Sequence, residues 1–175
     1  MVAYHDTEWG IPCDDDVELF ERLALESFQA GLSWLTILRK RDAFRSAFLG
    51  FDPTVVAGFD AAHCKRLMAD ARIVRNRAKI DATIDNARAF LDVVQAFGSF
   101  SAYLATLVPP PPGRLPWGAT VADVPGTTPV AEALSGDLRA RSFRFVGPTI
   151  VYAFMQSIGL VDDHLPGCFR YGVTP

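Results

Sequence analysis

Four groups of residues have the types and spacing to do chemistry. The first is His164-Leu-Pro-Gly-Cys168. A histidine and a cysteine four residues apart can point the same way from one turn, which suits a tetrahedral metal such as zinc. Two ligands are too few for a structural site, and His5 is the candidate third. The other reading is a hydrogen-bonded histidine beside a small buried thiol. The second group is Glu26, in the otherwise apolar run LALESFQAGLSW, with Gln29, Trp34, Trp9 and Tyr4. A carboxylate on that face is expected to be partly buried, and without a cation its pKa rises. One carboxylate among several aromatics is what a stacked, flipped nucleobase needs. A solvent-facing glutamate, with the tryptophans filling core, is the alternative.

The third group spans 65–79 and carries Lys65, Arg66, Arg72, Arg75, Arg77 and Lys79 against Asp70. The pattern predicts a helix, a turn over Asp70 to Val74 and a second helix starting near Asn76. Backbone N–H groups at such a hairpin could hold a phosphate, with the cations as supplement. A solvated cationic face is the competing reading. The fourth group is Phe145-Val-Gly-Pro-Thr149, where Gly147 and Pro148 mark a helix start and Thr149 lies in its first turn. Amides there could bind a phosphate, or Gly-Pro could simply set the entry angle of the chain. No Gly-rich phosphate loop, GxSxG elbow or HExxH motif is present, and no Ser, His and Asp arrangement singles out a triad.

The elements that must position these residues read as helices. Residues 14–27 show helical apolar spacing, with Asp14 to Asp16 at the N-terminal end. Ser33 can cap one helix over SWLTILRKRDAFRSAFL, and Asp52-Pro53 opens a short one. Asp60 can cap AAHCKRLMAD, and a long helix follows over roughly 76–97. Four consecutive prolines make 108–118 a stiff extended connector. Helices over 128–141 and 147–159 complete the chain; the last is apolar all round and reads as buried. The expected organisation is one domain of two packed helical subdomains: 1–50 with 119–175, and 51–107.

Half of the 175 residues are hydrophobic and 21% are charged, which supports a sizeable core and excludes disorder. The formal net charge of −3 excludes a uniformly basic DNA-coating protein but not a local basic face. Cys13, Cys64 and Cys168 form an odd set, arguing against a disulfide framework and for a reducing compartment, so a cytoplasmic location is expected. No apolar run reaches the roughly 18 residues of a membrane span, and MVAYHDTEWG is not a signal peptide. No membrane partner is expected.

Together, AYHDTEWGIP (3–12), LESFQAGLSWLTILRKR (25–41), FDP (51–53), DARIVRNRAKI (70–80), NARAF (86–90), FRFVGPTIVYAFMQSIGLVDDH (143–164) and GC (167–168) closely resemble the DNA-3-methyladenine glycosylase I family. The resemblance runs over essentially the whole chain. It implies an all-α helix-hairpin-helix glycosylase fold, with double-stranded DNA bound in a cleft between two subdomains. It implies that Glu26 is the catalytic residue and hydrogen-bonds the alkylated adenine, with Tyr4, Trp9 and Trp34 around the base. The hairpin and the helix start after it, through Arg72, Val74, Arg75, Asn76, Gly147 and Thr149, would hold DNA. The family often has a glycine where this chain has Arg72, which bears on the turn geometry.

The resemblance also implies a structural zinc held by His5, His164 and Cys168. The family's fourth ligand is a cysteine upstream of AYHD, in a stretch this sequence does not contain, so the chain reads as a family sequence without its first segment. Cys13 is a conceivable substitute ligand. The implied reaction is hydrolytic release of 3-methyladenine from alkylated DNA without lyase chemistry, by a monomer. A non-catalytic helix-hairpin-helix module that binds damaged DNA, with an incomplete pocket and metal site, is the alternative.

Overall fold

The computed structural model describes residues 1–110 and 113–173, and every regular element among them is helical. The all-α class is as the periodicity predicts; Pro111 and Pro112 of the expected connector lie outside the described residues. α1 (Val2–Thr7) is short, and nothing in its composition announces it. α2 (Asp16–Gln29) begins where the Asp15 carboxylate accepts the Glu18 N–H.

The single helix expected after Ser33 is two. α3 (Trp34–Arg39) is capped by the Ser33 hydroxyl, and α4 (Arg41–Ala47) restarts beyond Lys40, whose φ of −102° and ψ of 0° break the ladder. The break aims the Lys40 ammonium across to the carbonyls of Ala71 and Arg72, at 3.4 and 2.8 Å.

α5 (Pro53–Val56) has Pro53 in its first turn and Asp52 as its cap. α6 (Ala61–Ala69) starts with a reciprocal box between Asp60 and His63. α7 (Arg77–Phe97) is capped by Asn76 and stops at Gly98, which takes φ +90°. α8 (Phe100–Leu107), capped by Ser99, follows directly and was not signalled by spacing. α9 (Pro129–Ala140) and α10 (Pro148–Ser157) lie close to the expected ranges. α10 packs on α9 and α2, while α7 packs on α2, α5, α6 and α8.

The core is strongly aromatic. Phe20, Phe28, Phe44, Phe48, Phe51, Phe90, Phe100 and Phe154 are fully buried. Phe90 stacks on Phe100 at 4.2 Å between centroids, and Phe48 on Phe51 at 5.1 Å. The second pair follows from a left-handed turn in which Leu49, Gly50 and Phe51 all have positive φ, so the chain reverses between the two rings. Residues from both expected subdomains contribute to one continuous apolar cluster. No single helix among the described residues is long and apolar enough to cross a membrane.

Phe90 joins the two halves of this cluster through Phe20 and Phe100. Phe90→Ala is expected to cost about 3–5 kcal/mol in urea unfolding. A loss under about 1 kcal/mol would show that the core is not close-packed there.

Candidate active site

A cavity of about 290 Å³ opens between α1, the C-terminal half of α2, the start of α3 and α10. Its walls are Met1, Tyr4, His5, Trp9, Glu26, Gln29, Trp34, Ala153 and Gln156. All four residues assigned to a base pocket, Tyr4, Trp9, Glu26 and Trp34, are therefore brought together. Helical spacing does this: Glu26 and Gln29 are three apart on α2, and Ala153 and Gln156 three apart on α10. Tyr4 lies 5.3 Å from Trp34, centroid to centroid.

Two polar atoms in these walls are buried without a partner among the described residues, Glu26 Oε2 and Trp34 Nε1. One can accept and the other donate. Glu26 is 4% exposed, and burial alone pushes its carboxyl up to about 8. Nearby carboxylates differ. Glu8 is gripped by both Arg41 guanidinium nitrogens, which holds its pKa down, and Glu21 accepts two bonds from Arg45 Nε at 2.8 and 2.9 Å. Arg22 is spent on Glu18 and on the Glu8 and Ser157 carbonyls. The cations around the pocket are committed to other groups, and Glu26 is left without one. Burial, and next the Glu26 charge, push the Tyr4 hydroxyl well above its usual range, so it stays protonated.

A larger cavity of about 500 Å³ lies between α9, α10 and the proline-rich segment. Its carboxylates are already engaged, Asp163 by Tyr152 and Gln156 and Asp162 by His164. Among the described residues it offers no buried unpartnered side-chain group for chemistry.

Behind Trp9 sit the three residues of the expected metal set. His164 is 2% exposed; its Nδ1 pairs with Asp162 at 2.8 Å, and its Nε2 is buried without a partner. His5 Nδ1 pairs with Asp6 at 2.8 Å, and its Nε2 lies 3.5 Å from Cys168 Sγ. Carboxylates thus hold both Nδ1 atoms and leave both Nε2 atoms for another role, the pattern of metal-ligating histidines. Gly10 makes room for His164: a Cβ there would lie 2.7 Å from the ring, and its φ is +72°. Among the described residues, however, no group of three or more His, Cys, Asp or Glu side chains has the spacing to hold a metal ion. Cys13 is engaged elsewhere, against the Asp15 carbonyl.

The hairpin forms where expected, with α6 and α7 joined over 70–76. Arg72, Arg75 and Asn76 are exposed and Val74 is partly buried. Arg72 bonds Asp70, and the Asn76 carboxamide caps α7. Lys79 corrects the reading of the cationic run: it is 7% exposed and turned inward, donating to the carbonyls of Phe28 and Ala30 at 2.8 and 2.5 Å. Ahead of α10, the carbonyls of Arg144, Phe145 and Val146 accept from Asn86, Ser27 and Ser135 respectively. Among the described residues, the N–H groups of Phe145, Val146 and Gly147 make no backbone hydrogen bond. Thr149 is exposed beside them.

Sequence reasoning missed Met1, Ala153 and Gln156 in the pocket. Gln156 had a legible signal, a long polar side chain on an otherwise apolar helix; Met1 and Ala153 had none.

The Glu26 shift has a definite sign. The folded chain holds this proton more tightly than the unfolded chain, whose value is near 4.5. Stability is therefore lost as pH rises from 4.5 to about 8. Glu26→Gln removes the effect, so its gain in melting temperature over wild type is expected to grow from pH 5 to pH 8 and then level off. A pH-independent difference would contradict the burial argument.

Residues 1–171 match the family model described as methyladenine glycosylase. The chain is 45% identical over 170 residues to DNA-3-methyladenine glycosylase 1 of Escherichia coli (strain K12), covering 97% of this chain and 90% of that one. It superposes on a crystal structure of 3-methyladenine DNA glycosylase I with a TM-score of 0.92 and 44% identity, covering 97% of this chain and 93% of that one. A point variant of 3-methyladenine DNA glycosylase I in complex with 3-methyladenine superposes with a TM-score of 0.91 at 40% identity, covering 97% and 91%. With its all-helical fold and enclosed carboxyl among aromatics, the chain belongs to the methyladenine glycosylase family.

Proposed function

We propose that the chain excises 3-methyladenine from alkylated double-stranded DNA by hydrolysing the N-glycosidic bond, with no lyase step. The observation that carries this reading is the unpartnered Glu26 carboxyl, buried among Tyr4, Trp9 and Trp34. A cavity of about 290 Å³ suits one stacked base. Glu26 Oε2 and Trp34 Nε1 are free to bond a base there. The relative with 3-methyladenine bound, of the same fold, supports this choice of base.

N3-methylation makes adenine cationic, so it can leave as a neutral base without being protonated. As the cationic base enters, Glu26 gives up the proton it holds in the base-free pocket to solvent; the carboxylate then accepts a hydrogen bond from the exocyclic amine and favours the positive charge, at a site where water does not screen the attraction. The C1′–N9 bond breaks and its electron pair enters the purine, neutralising it. Water adds to C1′ and loses a proton. The products are free 3-methyladenine and an abasic site. No lysine lines the pocket among the described residues, and no Schiff-base step is invoked.

DNA would lie across the outward face of the hairpin and the start of α10, between the two parts of the chain. Arg72, Arg75 and the backbone at Val74, Asn76, Gly147 and Thr149 would hold phosphates. His5, His164 and Cys168 would hold a structural zinc, tying α1 to the C-terminal turn and steadying Trp9. The buried, unpartnered His164 Nε2 favours this reading. Zinc would take no part in the reaction. The working unit is a cytoplasmic monomer, because a pocket for one base needs no second copy.

Incubation with methylated duplex DNA, followed by chromatography of released bases, is expected to yield 3-methyladenine. Glu26→Ala should slow release by on the order of 10²-fold, the scale for losing one preorganised electrostatic partner. Binding of DNA without base release would instead identify a damage-binding module. Metal analysis of protein purified without chelator should give close to one zinc per chain, lost in His164→Ala. A value near zero in the wild type would remove the metal.

A further inference from the structure

α7 carries a buried polar seam that neither the pocket nor the phosphate contacts use. Lys79, Thr83 and Asn86 are 7%, 2% and 3% exposed. They recur at i, i+4 and i+7, so they share one face over about 10 Å of helix. Thr83 turns back onto the Lys79 carbonyl and stays within the helix. The other two reach out. Lys79 donates to the Phe28 and Ala30 carbonyls, where α2 ends beside the pocket. An ammonium suits that end of a helix, where the carbonyls are unsatisfied and the dipole is negative. Asn86 bonds Arg144 twice, donating to its carbonyl at 2.9 Å and accepting its N–H at 2.7 Å.

Phe145, next in sequence, has φ +55°, an unfavourable value for a bulky residue. Fixed bonds on both sides hold it there: Asn86 to Arg144, Ser27 to the Phe145 carbonyl and Ser135 to the Val146 carbonyl. α7 is also the second helix of the hairpin, so one rigid rod meets the hairpin turn, the rim of the base pocket and the entrance to α10. No residue of α7 or of 142–149 lines the pocket itself.

We propose that Lys79 and Asn86 are positioning residues that fix the span between the hairpin and the base pocket, so that they govern excision from DNA while leaving recognition of the free base unchanged. This rests on the glycosylase reading above. A flipped base stays tethered to its flanking phosphates. It reaches the pocket in register only if the groups holding those phosphates keep their distance from Glu26. A free base carries no such tether.

The test measures three quantities in wild type, Lys79→Met and Asn86→Asp: tryptophan fluorescence on titration with 3-methyladenine, single-turnover release from methylated duplex DNA, and melting temperature. Asn86→Asp keeps the acceptor for the Arg144 N–H but replaces the donor with a carboxylate oxygen facing the Arg144 carbonyl, and it serves if Lys79→Met does not fold. Affinity for free 3-methyladenine is expected to stay within about twofold of wild type, as for sites that do not couple. Release from duplex should fall by about tenfold or more, the kind of loss that small misplacements produce. Parallel losses of affinity, release and melting temperature would show a merely structural role and overturn the proposal, as would unchanged release. Wild-type protein that binds 3-methyladenine but releases none would instead contradict the glycosylase reading.

Discussion

A carboxyl group buried without a cation is the constraint on which the site depends. Such a group is costly, and the surroundings of Glu26 offer several ways to relieve the cost that are not taken. Arg22, Arg41 and Arg45 all lie nearby, yet each is tied to another acceptor. The Glu8–Arg41 and Glu21–Arg45 pairs therefore act on the pocket indirectly. They keep cations occupied, so Glu26 holds its proton until something positive enters and displaces it. A cationic base has the charge the site lacks. A neutral adenine does not, which gives selectivity beyond shape.

The rest of the fold can be understood as holding that carboxyl in place. Glu26 lies in α2, which packs on both α7 and α10. α10 is apolar and buried, so it fixes Ala153 and Gln156 at the far wall. α1 is too short to stand alone. It is tied down by Arg41 on Glu8, Arg22 on the Glu8 carbonyl, Arg170 on the Asp6 carbonyl and the His5–Cys168 approach. These contacts set Tyr4 and Trp9 against the base site from a segment with little core of its own.

Much of this was legible in the sequence where a local rule decides the outcome. Asp52-Pro53, the Asp60 cap, the start near Asn76 and the apolar run at 147–159 placed helix starts close to where they lie, because such signals act on their own neighbours. Tyr4, Trp9, Glu26 and Trp34 were grouped by residue type and by resemblance, and they do line one cavity. Reading failed where a distant partner decides. A helix that spacing alone would continue breaks at Lys40, whose ammonium reaches the hairpin carbonyls. Lys79 looked like a surface cation in a basic run, and only the position of the α2 carboxyl end turns it inward. α1 and α8 lack a periodic stripe long enough to announce a helix; α8 forms because Phe100 and Tyr103 find the core.

The account stands on the state of one proton. A carbon-13 NMR titration of the Glu26 carboxyl, assigned by its absence in Glu26→Gln, measures it directly. The account predicts a midpoint near 8 in the protein without base, from burial with no compensating cation. A midpoint near 4.5, that of an ordinary glutamate, would mean that the carboxyl is solvated or paired and would contradict it.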